Sequence, residues 1–244
     1  MEALEIKTIF TVFLFDFEIP VTETVIISWL VMAVLIAASL ILTRRLKEIP
    51  AGAQAIIEAA VEFLNSFSKK YFGMFSKFLG PYMGSLFLFL LLANIIPVLS
   101  PPEIKLFGRV FTPPLHVAPP TRDINVTAAL AAISVALVLV CGFAAKGVKG
   151  WFRHLFYPVP LMLPFNLLEY GTRLLSLSLR LFGNILGGYV IMKLIEGLLP
   201  VGIPMVFSLY FDFFDGMLQA VIFVFLTSLY ISEAVTIHGE QAGG

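Results

Sequence analysis

Apolar runs as long as a bilayer is thick constrain this chain more than anything else in it. The first occupies residues 22–43, about 20 predominantly apolar residues. As a helix rising 1.5 Å per residue, it spans a hydrocarbon core of roughly 30 Å. Further runs follow at 81–99 and 123–146, and two longer ones at 160–199 and 204–238. The expected fold is an all-α polytopic membrane protein with about five membrane-embedded segments. Composition agrees, with 59% hydrophobic and 13% charged residues among 244, against about 45–50% and about 25% in soluble domains.

Between the runs the chain changes character. Residues 1–21 read as a short arm, with Glu2, Glu5, Lys7, Asp16 and Glu18 interrupting any signal-peptide core. The first span then acts as an uncleaved insertion signal. In 51–72, Ala53, Ile56, Ile57, Ala60, Phe63, Leu64 and Phe67 recur at helical spacing, with Gln54, Glu58, Glu62, Asn65 and Lys69 opposite. That pattern predicts an amphipathic helix on the membrane surface or against a partner, and not a span. The segment 100–122 carries six prolines and reads as an irregular outer loop. Arg44, Arg45, Lys47, Lys69, Lys70, Lys77, Lys146, Lys149 and Arg153 give nine cationic residues on one side; Lys7, Lys105, Arg109 and Arg122 give four on the other. The positive-inside rule therefore puts the N-terminus outside and the C-terminus in the cytoplasm.

Several functions are excluded early. Net charge is zero, so no basic field invites nucleic acid. One cysteine, Cys141, and three histidines offer no metal-ligand spacing. No phosphate-binding loop of the G-x-x-x-x-G-K-[ST] type occurs, so nothing points to P-loop nucleotide chemistry on this chain. No internal repeat supports an inverted-repeat transporter.

One cation stands out. Arg180 lies in the middle of an apolar run, where a charge costs roughly 2.5–3.5 kcal/mol on insertion scales. Ser176 and Asn184 flank it at i−4 and i+4, so the three share a helix face. Snorkelling to a headgroup, or pairing inside a helix bundle, would also account for it. The final two runs, joined by the turn Pro200–Pro204, are each over 45 Å long as helices. At the usual tilt of about 20° that exceeds the membrane core, so a strongly tilted hairpin is expected.

Pairing the two arms about that turn sets Arg180 opposite Val221 and Ile222, less than a turn from Gln219. Asp212, Asp215, Gly216 and Gln219 follow helical spacing along one face. Asp212, Asp215 and Glu196, with Lys193, fall toward the outer turn; Glu169, Arg173, Glu233 and His238 fall toward the inner end. Two polar pockets offset along the hairpin and separated by a fixed positive charge would stop a leak. Ions would cross only if an acidic carrier moved laterally between them, neutral in lipid and ionised beside Arg180. More local readings exist for each group. Asp212 and Asp215 can pair with Lys193, Glu169 with Arg173 is an i, i+4 pair, and Asp123 is a natural N-cap for the third span. Asp123 and Asn125 can also lend polarity to an outer vestibule.

The stretch Ser176-Leu-Ser-Leu-Arg180-Leu-Phe-Gly-Asn184 resembles the signature of the a subunits of F-type ATP synthases. Pro119-Pro-Thr-Arg-Asp123-Ile-Asn125, Pro164-Phe-Asn166-Leu-Leu-Glu169 and Gln219 are similar to further segments of that family. The resemblance implies a stator that faces a rotating c-subunit ring, provides two ion half-channels and couples H⁺ or Na⁺ flow to ATP synthesis. It makes Arg180 the arginine that meets the ring carboxylate, with Ser176, Asn184 and Gln219 as its polar neighbours. Asp212, Asp215, Glu196, Asp123 and Asn125 are then candidates for the outer half-channel, and Glu169, Arg173 and Glu233 for the inner one. It further implies no bond chemistry and no cofactor on this chain, and peripheral-stalk b subunits as partners; the length and the lack of a targeting peptide fit a bacterial plasma membrane. Tyr189 departs from the acid or histidine found nine residues after the arginine in some members. The rival from another class is an autonomous secondary transporter in which Arg180 binds an anionic substrate.

Overall fold

The computed structural model describes residues 8–14, 17–44, 47, 50, 52–96, 104–106, 109–111, 119–156, 159–198, 207 and 209–235. The turn expected at 200–204, most of the proline-rich loop, and His238 lie outside them. The chain is an all-α polytopic membrane protein, with five helices long and apolar enough to cross a bilayer. They are α1 (Glu23–Thr43), α3 (Ser76–Ile95), α4 (Ile124–Leu155), α5 (Leu163–Leu198) and α6 (Gly216–Val235), while α2 (Ala53–Phe72) is the amphipathic helix. The residues group into two compact units, one of Met1–Arg44, Leu88–Thr127 and Leu179–Val221, the other of Arg45–Phe87, Ala128–Ser178 and Ile222–Gly244.

In the first unit, part of the N-terminal arm is an antiparallel hairpin of β1 (Thr8–Leu14) and β2 (Phe17–Thr22), pairing Val12 with Ile19 and Leu14 with Phe17. The sequence reading missed it. Strands this short, rich in β-branched and aromatic residues, resemble the apolar start of a helix. A second hairpin, β3 (Ile104–Leu106) with β4 (Arg109–Phe111), interrupts the proline-rich loop. From α1, Thr24, Ile27 and Val31 turn inward, while Leu40 and Ile41 stay exposed at 65% and 73%. Lipid solvates such a face; in water it would be an association hazard.

In the second unit, α2 lies against the start of α3, where a Cβ on Gly80 would fall 3.1 Å from the Ser68 Oγ. Small residues let the two backbones approach this closely. Positive-φ glycines bracket α2, Gly52 before it and Gly73 after it. The third apolar run continues as helix to Leu155, but Gly147 breaks it at φ 69° and ψ 161°. That break coincides with the Lys146–Lys149 basic segment that follows the apolar run. Pro81 sits inside α3 rather than opening it. Thr227 and Ser228, both fully buried on α6, donate to the carbonyls of Phe223 and Val224 one turn back at 2.9 and 2.7 Å. Their hydroxyls are thereby satisfied without a partner on another helix.

The last long run differs most from expectation. It is not one α-helix: Leu209–Asp215 wind as a π-helix that passes into α6 at Gly216. Pairing i with i+5 widens each turn and changes the angle between successive side chains. The α-helical spacing used to align Asp212 and Asp215 with Gln219 therefore does not hold across this segment.

Candidate functional site

Arg180 emerges from α5 with its side chain exposed, between the buried Leu181 and the exposed Leu179. Among the described residues it pairs with no carboxylate; both ion pairs present belong to Arg173. α5 is continuous from Ser176 through Arg180 to Asn184, which keeps the three on one face. Ser176 is half-buried and Asn184 exposed.

Asn184 donates through Nδ2 to the Oε1 of Gln219 at 2.8 Å, a bond between α5 and α6 that matches the register expected from the turn. Gln219 is 1% exposed, and its Nε2 has no hydrogen-bond partner among the described residues. A buried amide donor left unused costs roughly 1–3 kcal/mol, so it marks a place where another group would be welcome.

Still in the first unit, Asp123 is 1% exposed and its carboxylate is occupied on both oxygens. Oδ1 accepts the Asn125 backbone N–H at 2.9 Å, capping α4, and Oδ2 accepts the Thr24 hydroxyl at 2.8 Å and the Thr22 hydroxyl at 3.5 Å. The capping alternative describes this geometry, with an added tie from the start of α4 to the start of α1. Asn125 has an exposed side chain beyond that cap. Asp215 is half-buried at the end of the π-helix. The side chains of Asp212, Glu196 and Lys193 lie outside the described residues, so the expected outer cluster is not assembled among them.

Tyr189, the departure from the family pattern, has Arg122 over its ring at 4.1 Å, and that arginine is only 9% exposed. A cation on a ring face is held by the ring's quadrupole. Asn94, only 3% exposed, donates to the Gly216 carbonyl at 3.2 Å and accepts from the Thr121 hydroxyl at 2.7 Å. Sequence reasoning did not find either arrangement. Asn94 is a polar residue within the apolar run 81–99, with no local signal pointing to a partner 122 residues away.

The second unit holds the inner candidates, and here the structure brings all three together. Arg173, 9% exposed as a residue, bonds Glu169 one turn before it on α5 and Glu233 on α6 at 2.8 Å. Its guanidinium also lies 4.7 Å from the Tyr230 ring. A pocket beside this cluster is lined by Lys146, Trp151, Asn166, Glu169, Arg173 and Glu233. Asn166 is held by its Nδ2 bond to the Leu155 carbonyl at 2.8 Å. No group of three or more His, Cys, Asp or Glu side chains suited to a metal occurs among the described residues.

Fold and site together define a multi-pass membrane protein with an arginine exposed on an apolar helix, without a carboxylate partner among the described residues, and polar pairs crossing between its last two helices. Comparison with known proteins narrows this further. The pattern of the ATP synthase A chain family matches residues 25–232. The chain is 37% identical over 216 residues to "ATP synthase subunit a, sodium ion specific" of Propionigenium modestum, covering 88% of this chain and 75% of that protein. The chain therefore belongs to the ATP synthase A chain family, the a subunits of F-type ATP synthases. Membership makes it a membrane subunit of the ion-translocating part of that complex and sets aside the autonomous transporter.

Proposed function

We propose that this chain is the stator against which a c-subunit ring turns, and that Arg180 is the charge separating an outer from an inner ion half-channel. The observation that carries the reading is the exposure of Arg180 on an apolar helix with no internal carboxylate partner among the described residues. An intramembrane cation left so exposed calls for an anion from another chain. A ring carboxylate, ionised beside the guanidinium and neutral in lipid, meets that need.

Ions enter from outside, neutralise the ring carboxylate, ride with the rotor and leave toward the cytoplasm. Each charge crossing 100 mV contributes about 2.3 kcal/mol, so several combine for each ATP. Asn184 and Gln219 hold the polar surface beside Arg180, with Ser176 on the same face of α5. Asp215, Asp212, Glu196 and Asn125 are the outer-path candidates; Asp123 serves chiefly as the cap between α4 and α1. Glu169 and Glu233 line the inner path, and Arg173 holds them in place. The coupling ion is H⁺ or Na⁺, the relative from Propionigenium modestum being named as sodium specific. The chain sits in a bacterial plasma membrane with its N-terminus outside and its C-terminus cytoplasmic, and it also meets the b subunits of the peripheral stalk.

The test is Arg180→Ala in the reconstituted complex. ATP-coupled ion transport disappears while the subunit still co-purifies with the ring. Normal pumping by that variant refutes the reading.

A further inference from the structure

We infer that Asn94 and Thr121 form a positioning clamp on the π-to-α junction, fixing how Asp215 is presented to the outer ion path and Gln219 to the surface beside Arg180. The inference rests on the stator reading, but its evidence is separate. Asn94 is 3% exposed and Thr121 is fully buried, so neither competes with bulk solvent. The Thr121 hydroxyl donates to Asn94 Oδ1 at 2.7 Å, which leaves the Asn94 NH₂ free to donate to the Gly216 carbonyl at 3.2 Å. An amide held at its oxygen is oriented at its nitrogen, because the group is planar.

The contact also needs a glycine. A Cβ on Gly216 would lie 2.7 Å from the Asn94 Cβ, closer than side chains approach. Gly216 is the first α-helical residue after the π-helix. Asp215 immediately precedes it, and Gln219 follows one turn on with its bond to Asn184. A π segment pairs i with i+5, and its side chains differ in phase from those of an α-helix over the same residues. Seating Asn94 on the Gly216 carbonyl holds the junction where it is. Asn94 and Thr121 thus act through the backbone of the last helix and touch no transported ion themselves.

The complete complex is reconstituted in proteoliposomes with Thr121→Val, Thr121→Ser and Asn94→Ala. ATP synthesis driven by an imposed H⁺ or Na⁺ gradient is read against the ion concentration on the source side. Thr121→Val and Asn94→Ala raise the half-saturating concentration by roughly three- to tenfold, the loss of one orienting hydrogen bond. Their maximal rate changes far less, and Thr121→Ser behaves as the parent protein. The clamp is overturned if the valine and alanine variants keep the parent's half-saturation, or if serine fails to rescue. It is overturned equally if neither variant assembles, since the contact is then a folding requirement. Failure of the parent complex itself to couple either ion would instead count against the stator reading.

Discussion

Replacing Asp123 separates a structural carboxylate from an ion-path carboxylate. In Asp123→Ala the α4 N-cap is lost, which costs about 1 kcal/mol. The buried Thr24 hydroxyl loses its 2.8 Å acceptor, at a further cost of roughly 1–2 kcal/mol, the lower half of the usual range. The lower half applies because Thr22 remains 2.7 Å from Thr24 and can still share a hydrogen bond with it. Together these give about 2–3 kcal/mol. For a chain of this size that corresponds to a fall of roughly 5–10 °C in the midpoint of thermal inactivation. Asp123→Asn keeps an oxygen for the Asn125 N–H, and its NH₂ can donate to a Thr24 hydroxyl turned toward Thr22. That variant falls by about 1 kcal/mol or less. The assay is a thermal-inactivation series on purified complexes, run alongside ion-driven ATP synthesis at a permissive temperature. Asp123→Asn retains coupled synthesis within a factor of about two, because the carboxylate is committed to bonds a neutral amide can replace. Loss of coupling in a thermally sound Asp123→Asn complex refutes the reasoning and returns the residue to the ion path.

Other expectations are shorter to state. Glu169→Gln and Glu233→Gln each leave Arg173 one carboxylate, whereas the double substitution leaves the guanidinium with neutral amide acceptors only, at a cost of about 1.5–3 kcal/mol. A double-mutant cycle on complex stability therefore shows strong non-additivity, and simple additivity rejects the shared-cation geometry. Tyr189→Phe keeps the ring beneath Arg122, while Tyr189→Leu loses about 0.5–2 kcal/mol more. Equal behaviour of the two in thermal inactivation argues against the stacking. Gly147→Ala forces an L-residue to φ 69° and destabilises by about 1–3 kcal/mol; an unchanged inactivation midpoint removes the break in α4.

The helices and Arg180 were legible in the sequence because their signals are local. A run of apolar residues is its own evidence for a span, and one arginine within it is conspicuous. The Asn184–Gln219 pair was within reach because a single turn position fixes a helical register. What escaped depends on winding or on distant partners. The π-helix changes phase without changing composition. Asn94 and Gly216 meet only once several helices are in place. Glu169, Arg173 and Glu233 could be grouped from the sequence, but nothing short of side-chain geometry tells that Arg173 serves two carboxylates at once.

The seven-residue π segment also bears on how such a chain can change over generations. A widened turn holds one more residue than the α-helical turn it replaces. Deleting a single residue within 209–215 can therefore be absorbed by rewinding, with Gly216 and everything after it left undisturbed. Residues ahead of the segment keep their phase as well, and only those within 209–215 would change face. Insertions and deletions there, more readily than substitutions, would decide which acids line the path.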